Sequence, residues 1–321
     1  MPLLKRFTVL SAIIESTAYT LEPFVPASSN FNVFDHGATP AIEMKKRPAA
    51  DGFSDRPSTV GLQSGTVNFK VDLHGDGGGG VPAWADTFLP ACGLVRDPGG
   101  ANPGRFVPRS RPPFEGTGTD FGVRTLTIAV NEQGRQKLLR GCMGNAVFMH
   151  PTGKDCYVDF SFQGAWAGVT DQPIPTPSYP PQLPLRWANS SLFVGGATPC
   201  VQEFKVDLGN NVVLRPCQTA TDASGYRGGI ITDRNIGGTI DPEAELVAND
   251  DVFGDWINSN TRPFVASYQD DNDRVNIGMP NFQIINLGEG DRSGIRTDPL
   301  TYEAKRQAVG DDEFFIEFVS P

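Results

Sequence analysis

Between Thr66 and His74 apolar and polar residues alternate without a break, with Val67, Phe69, Val71 and Leu73 set against Asn68, Lys70, Asp72 and His74. Side chains of a strand point alternately to opposite faces, so this period commits the segment to a strand with one face buried and one in solvent. The stretch His74 to Gly80 then frees the backbone to turn. Trp84, Phe88 and Leu89 return at helical spacing, which predicts a short helix laid on the sheet. The Gly77–Gly80 run has neither the lysine nor the helix context of a phosphate loop and reads as a connection.

The same punctuation runs through all 321 residues, where 36 glycines and 27 prolines separate short apolar runs and phenylalanine occurs 21 times. This is the texture of an all-β chain with little helix, and its length is enough for about two domains with cores of their own. Strands are expected at Phe7–Ile14, at Arg124–Val130 with Leu126, Ile128 and Val130 inward, at Gly144–Met149, at Tyr157–Gln163 and at Asp312–Ser320. Asn131–Gly134 reads as a hairpin turn. Met44–Pro57 reads as a polar, cationic loop and Arg96–Asp120 as an excursion without strand character. Pro173–Pro184, dense in proline, cannot enter a sheet interior and reads as an interdomain linker.

The second half echoes the first. Gly-Ala-Thr-Pro occurs at Gly37–Pro40 and again at Gly196–Pro199, and Gly65-Thr66-Val67-Asn68 is matched by Gly238-Thr239-Ile240-Asp241. The helix cue at Trp84–Leu89 returns at Phe253–Ile257, Arg124–Val130 returns at Arg262–Tyr268, Gly141–Phe148 at Gly278–Ile284 and Tyr157–Gly164 at Leu300–Gln307. The expected organisation is a tandem duplication: an arm over residues 1–30, a β-sandwich repeat over 31–172, a linker over 173–189 and a second repeat over 190–321.

A formal charge of -10 and a sequence pI near 4.8 argue against a protein that grips nucleic acid by neutralising phosphates. The longest apolar run, Phe7–Ile14, is too short to span a bilayer. With Lys5 and Arg6 before it that run imitates a signal peptide, but its core is short and Glu15 follows directly. The cysteines, Cys92, Cys142, Cys156, Cys200 and Cys217, are odd in number and form no close pair, which fits reduced thiols better than a disulfide framework. His36, His74 and His150 lack ligand spacing, and the Asp250-Asp251 and Asp270-Asp271-Asn272-Asp273 clusters lack the stepped order of a calcium loop, so both clusters read as solvated turns. No nucleotide, zinc-hydrolase or serine-hydrolase motif is present. No catalytic residue, metal or cofactor is assigned, and the chain is expected not to be an enzyme.

Several segments in order, LKRFTVLSAIIESTAYT, SGTVNFKVDLHG followed by PAWADTFLPACGL, GCMGNAVF, FSFQGAWAGVTDQPIPTPSYP and ITDRNIGGTIDPEAELV, resemble a family of bacteriophage major tail tube proteins of about this length. The likeness covers most of the chain and its specificity lies in the order of the segments. It departs at Glu15–Thr20, where the family more often carries an ETxYGT-like stretch. The resemblance implies an all-β fold with minor α, two tandem tail-tube-type β-sandwich domains, each with a short helix, whose strands join a ring-wide barrel. It implies a structural virion protein whose stacked rings form the conduit for DNA ejection, assembled in the host cytoplasm. Family rings usually hold six domain copies, so a chain with two is expected as a homotrimer in a pseudo-hexameric ring. Other copies and the tape measure, terminator and distal tail proteins are the implied partners, DNA passes without specific binding, and no membrane is involved. In that frame Asn68, Lys70, Asp72, Asp159, Asp241, Glu243 and Glu245 are candidate lumen-lining residues. Lys45, Lys46, Arg47 and Arg56, with Arg227 and Arg234 from the counterpart segment Arg215–Arg234, are candidate ring-stacking residues. The alternative is a secreted or surface adhesin of tandem sandwiches, for which a cleavable signal and paired cysteines are expected.

Overall fold

The computed structural model describes residues 7–25, 28–97, 102–113, 122–188, 190–220, 222–308 and 310–320. Lys5, Arg6 and residues 98–101 and 114–120 of the proline- and arginine-rich excursion lie outside them. The first half contains β1 (Thr8–Ile14), β2 (Asn30–Phe31), β3 (Phe34–Pro48), β4 (Asp55–Asp72), α1 (Ala83–Phe88), β5 (Leu94–Arg96), β6 (Arg105–Pro108), β7 (Leu126–Glu132), β8 (Arg135–Pro151) and β9 (Tyr157–Asp171). The second contains β10 (Ser191–Val194), β11 (Val201–Asp207), β12 (Asn210–Pro216), β13 (Tyr226–Arg234), β14 (Gly237–Pro242), α2 (Val252–Ile257), β15 (Thr261–Gln269), β16 (Arg274–Leu287), β17 (Gly290–Arg292), β18 (Ile295–Thr297), β19 (Leu300–Ala304) and β20 (Phe315–Val319). The described residues are all-β with two short α-helices and a 3-10 turn at Leu89–Cys92, and no described helix is long and apolar enough to cross a membrane.

The alternation that opens the sequence lies in β4, where Val67, Phe69 and Val71 are buried and Asn68 is exposed. The Phe69 ring meets those of Phe88 on α1 and Phe160 and Phe162 on β9 at 4.9, 5.5 and 5.8 Å, so α1 lies on the buried face of β4 and β9. One apolar cluster continues from there through Phe204, Phe264 and Tyr302 of the second half.

Pairing sets the strands of the first half in the order β1-β7-β8-β9-β4-β3. Those of the second half follow the same scheme, β10-β15-β16-β19-β14-β11. The halves meet where Val147–Pro151 of β8 pair with Asp207–Glu203 of β11, making one sheet. β9 runs unbroken beside β8, whereas β16 takes β19 along its end and β20 along its start. The hairpin of β3 and β4 is likewise long and continuous, while in the second half its place is taken by two stacked pairings, β11 with β14 and β12 with β13.

Several expectations from sequence change. Met44–Pro57 is not a loop: strands extend to Pro48 and resume at Asp55, and both faces of that distal hairpin are exposed, which erases the apolar period that marks a strand. The Arg96–Asp120 excursion contains β6, whose Phe106 pairs with Ile316 of β20 at the far end of the chain. Thr8–Ile14, placed in an arm, pairs with β7 along its whole length. The repeated Gly-Ala-Thr-Pro falls in unlike places, inside β3 and in the turn before β11. Within 173–189, Leu185 and Trp187 are buried, and Leu185 exchanges backbone hydrogen bonds with Leu73 and Cys156 at 2.8 and 2.9 Å, so this end of the linker belongs to the core.

The glycine run is also more than a connection. The amides of Gly77 and Gly79 donate to the Asp273 carboxylate at 3.0 to 3.1 Å, and Asp273 is 3% exposed. Gly77 and Gly79 have φ of 86° and 76°, a conformation open to glycine that turns successive amides toward one anion. Asp273 is therefore a buried anchor between the halves and not part of a solvated turn.

Candidate functional site

The exposed face of the shared sheet carries the residues that the sequence singles out. Residues directly opposite one another on paired strands share a face. From Lys70 that face runs through Asp159 and Val147 to Asp207, Gly237, Glu303 and Gln283. A second row begins at Asp72 and passes through Tyr157, Met149, Lys205 and Thr239 to Thr301. The two rows cross from β4 in the first half to β19 in the second without a gap.

Charges along the rows are largely matched. Lys70 bridges to Asp35 at 2.8 Å and lies 5.3 Å from the Tyr157 ring, Lys205 lies 3.5 Å from Asp207, and Lys305 pairs with Glu303. Asn145 donates to Asp207 at 2.7 Å. Partial burial pushes the carboxyls of Asp72 and Asp159 upward, opposed at Asp159 by Lys70. The hydrogen bond to Asp35 holds the Lys70 ammonium above its ordinary value.

Asn68, Lys70, Asp72 and Asp159 thus stand together on one face. Asp241 lies two residues beyond Thr239 on that face, but its carboxylate is engaged: it accepts from the amides of Gln202 and Glu203 at 2.9 and 2.8 Å and from Arg292 at 2.9 Å. Glu243 follows β14 and faces Arg292 at 3.4 Å. Glu245 lies off the sheet, in the segment leading to α2, where Asn249 donates to it at 3.2 Å. Lys205, Asp207, Glu303 and Asn145 were missed by sequence reasoning. The alternation in Val201–Asp207, with Phe204 and Val206 inward and Lys205 and Asp207 outward, was a usable signal for two of them.

The cationic set divides. Lys45, Lys46, Arg47 and Arg56 are exposed on the distal β3–β4 hairpin, with Arg47 paired opposite Arg56. Arg227 lies 5.7 Å from the Tyr19 ring, and its carbonyl accepts from Arg140 at 2.9 Å. Arg234 is nearly buried between Asp311 at 3.0 Å and Glu313 at 2.7 Å. These residues do not form one surface.

Among the described residues no group of three or more His, Cys, Asp or Glu side chains is arranged to hold a metal ion. All five cysteines are free, and Cys92, Cys142 and Cys156 are buried, with burial pushing the Cys156 thiol up to about 12. The chain matches no protein-family model and no curated protein.

Proposed function

We propose that the chain is a structural virion protein, the major tail tube subunit of a bacteriophage, whose copies close into rings that stack into a conduit for DNA. The observation that carries this reading is the junction of β8 with β11. It joins two units of the same strand order edge to edge, and among the described residues the equivalent edges at both outer ends carry no strand.

At one end, β3 pairs with β4 and with no other described strand. At the other, β16 is covered by β15 as far as Gln283, while among the described strands Ile284–Leu287 pair with β19 alone. The corresponding edge of β8 is the one that β11 occupies. An open strand edge invites another strand, and a closed ring removes the edges altogether. Placing β3 of one copy on β16 of the next repeats the internal junction, and six such units, three chains with two each by tandem duplication, give a homotrimeric, pseudo-hexameric ring. The charge-matched rows on the sheet's exposed face then line the bore. In an acidic chain such a lining neutralises few phosphates, so DNA slides through it without being held.

Negative-stain electron microscopy of the purified protein tests this. Rings or tubes of uniform bore with threefold symmetry and a sixfold pseudo-repeat are expected. Dispersed monomers at high concentration would sink the reading, and true sixfold rings of six chains would sink the duplication.

A further inference from the structure

Helices α1 and α2 hold the same place in their halves, after β4 and β14 and before β7 and β15, but they are covered differently. On α1, Trp84, Ala85 and Phe88 are buried, and the Trp84 ring meets Phe318 of β20, a residue of the other half, at 5.8 Å. On α2 only Val252 is buried. Phe253, Trp256 and Ile257 are 41%, 36% and 76% exposed, and Ile285, whose carbonyl accepts from the Trp256 indole at 3.0 Å, is 42% exposed. Single exposed apolar residues are ordinary, but a contiguous group marks a contact surface. This one borders the open Ile284–Leu287 edge of β16.

We propose that the α2 patch is a docking surface for a second copy of this chain, whose first half covers α2 as the second half covers α1; the inference rests on the head-to-tail assembly proposed above. The internal precedent identifies the covering element. β20 reaches α1 while paired to the start of β16, the position that the distal end of β9 holds on β8. In the next copy the equivalent element is therefore the distal end of β9, where Val169 is 49% exposed. Phe253, Trp256 and Ile257 then meet β9 of that copy while its β3 lies along β16.

Trp256 is a built-in reporter, because Trp84, Trp166 and Trp187 are only 2%, 6% and 5% exposed. Iodide quenching of the monomer reads Trp256, and assembly is expected to lower that quenching severalfold. Ile257→Asp and, separately, Phe253→Asp are expected to raise the concentration needed for assembly by about tenfold or more while leaving the circular dichroism and unfolding midpoint of the monomer unchanged. Variants that assemble at the wild-type concentration, or a Trp256 as quenchable in the assembly as in the monomer, overturn the proposal. If a variant misfolds, the quenching of the wild type still decides. Wild-type oligomers that shield Trp256 without forming tubes would uphold the docking surface and sink the tube reading. Tubes with an accessible Trp256 would do the reverse, and a chain that stays monomeric at every concentration overturns both.

Discussion

Asp273 ties together segments 196 residues apart in sequence, and it does so with one carboxylate. A charge buried at this depth is tolerated because the Gly77 and Gly79 amides replace its water. Replacing Asp273 with alanine leaves those amides without an acceptor. The expected cost is about 1–3 kcal/mol, measured by urea unfolding, whereas the exposed neighbour Asp271→Ala should stay within about 0.5 kcal/mol. Equal effects of the two substitutions would remove the anchor role. Nothing local in the sequence separates Asp273 from Asp271. The difference arises because the turn between β15 and β16 is brought against a glycine loop of the other half, and a glycine run without a lysine does not announce which anion it will meet.

At the scale of elements, the two long hairpins have opposite fates. Gly209, at φ 62°, breaks the strand between β11 and β12, and a Cβ there would stand 2.1 Å from the Asn235 carbonyl oxygen. The β12–β13 hairpin turns away at this point and packs Val212 and Ile231 against Val95, Val123 and Met143. Its far end is held by Arg140 on β8, which is 2% exposed and donates to the carbonyls of Arg227 and Tyr226 at 2.9 and 3.0 Å and to the Asp222 carboxylate. Burial opposes ionisation of Asp222, but the bonds from Arg140 and Ser224 outweigh it and its pKa is lowered. Arg140→Leu leaves the Arg227 and Tyr226 carbonyls without their donor, at an expected cost of about 1–3 kcal/mol. Hydrogen exchange should show the loss in Tyr226–Arg234 and leave the β8–β9 ladder protected, whereas uniform loss across the molecule would refute a local clasp. Among the described residues the distal part of the β3–β4 hairpin has no such seat, and Ile42, Met44, Phe53 and Val60 remain exposed on it. Their period could not be read because neither face of that hairpin is buried in one chain.

For the whole molecule the decisive contact is the joint between halves. His150 of β8 stands opposite Phe204 of β11 and stacks on its ring at 4.1 Å, with Trp187 and Tyr268 around it at 6.1 and 5.2 Å. Among the described residues neither ring nitrogen of His150 has a hydrogen-bond partner, and burial lowers its pKa to about 3. Between its ordinary value of 6.5 and about 3 the unfolded chain binds the proton and the folded chain does not. The stability His150 contributes is thus present above pH 6.5 and is lost as the pH falls through this window. His150→Phe keeps an aromatic ring at the joint and gives up no hydrogen bond. Below pH 6.5 the wild type should lose stability relative to this variant by about 1.4 kcal/mol per pH unit, followed by urea unfolding from pH 7 to pH 5. A difference that does not change with pH would mean that the imidazole is not held neutral. From the sequence His150 was one of three scattered histidines, and only its place on the shared edge gives it a role.

The alternation from Thr66 to His74 fixed, by itself, which side chains of β4 are core and which face outward, because a strand's side-chain period is a local property of the backbone. The same period located β7 and β9 and put Asn68, Lys70, Asp72 and Asp159 on an outward face, while an apolar run marked β1, helical spacing marked α1, and the internal repeat pointed to β15 and α2. It could not choose partners, since any strand with a suitable face satisfies the period equally. Tertiary structure alone decided that β11 pairs with β8, that β20 takes the position beside β16 that the end of β9 takes beside β8, and that among the described residues β3 and the end of β16 keep open edges. Those choices depend on contacts between residues far apart in the chain, where the competing pairings differ in packing and not in local pattern.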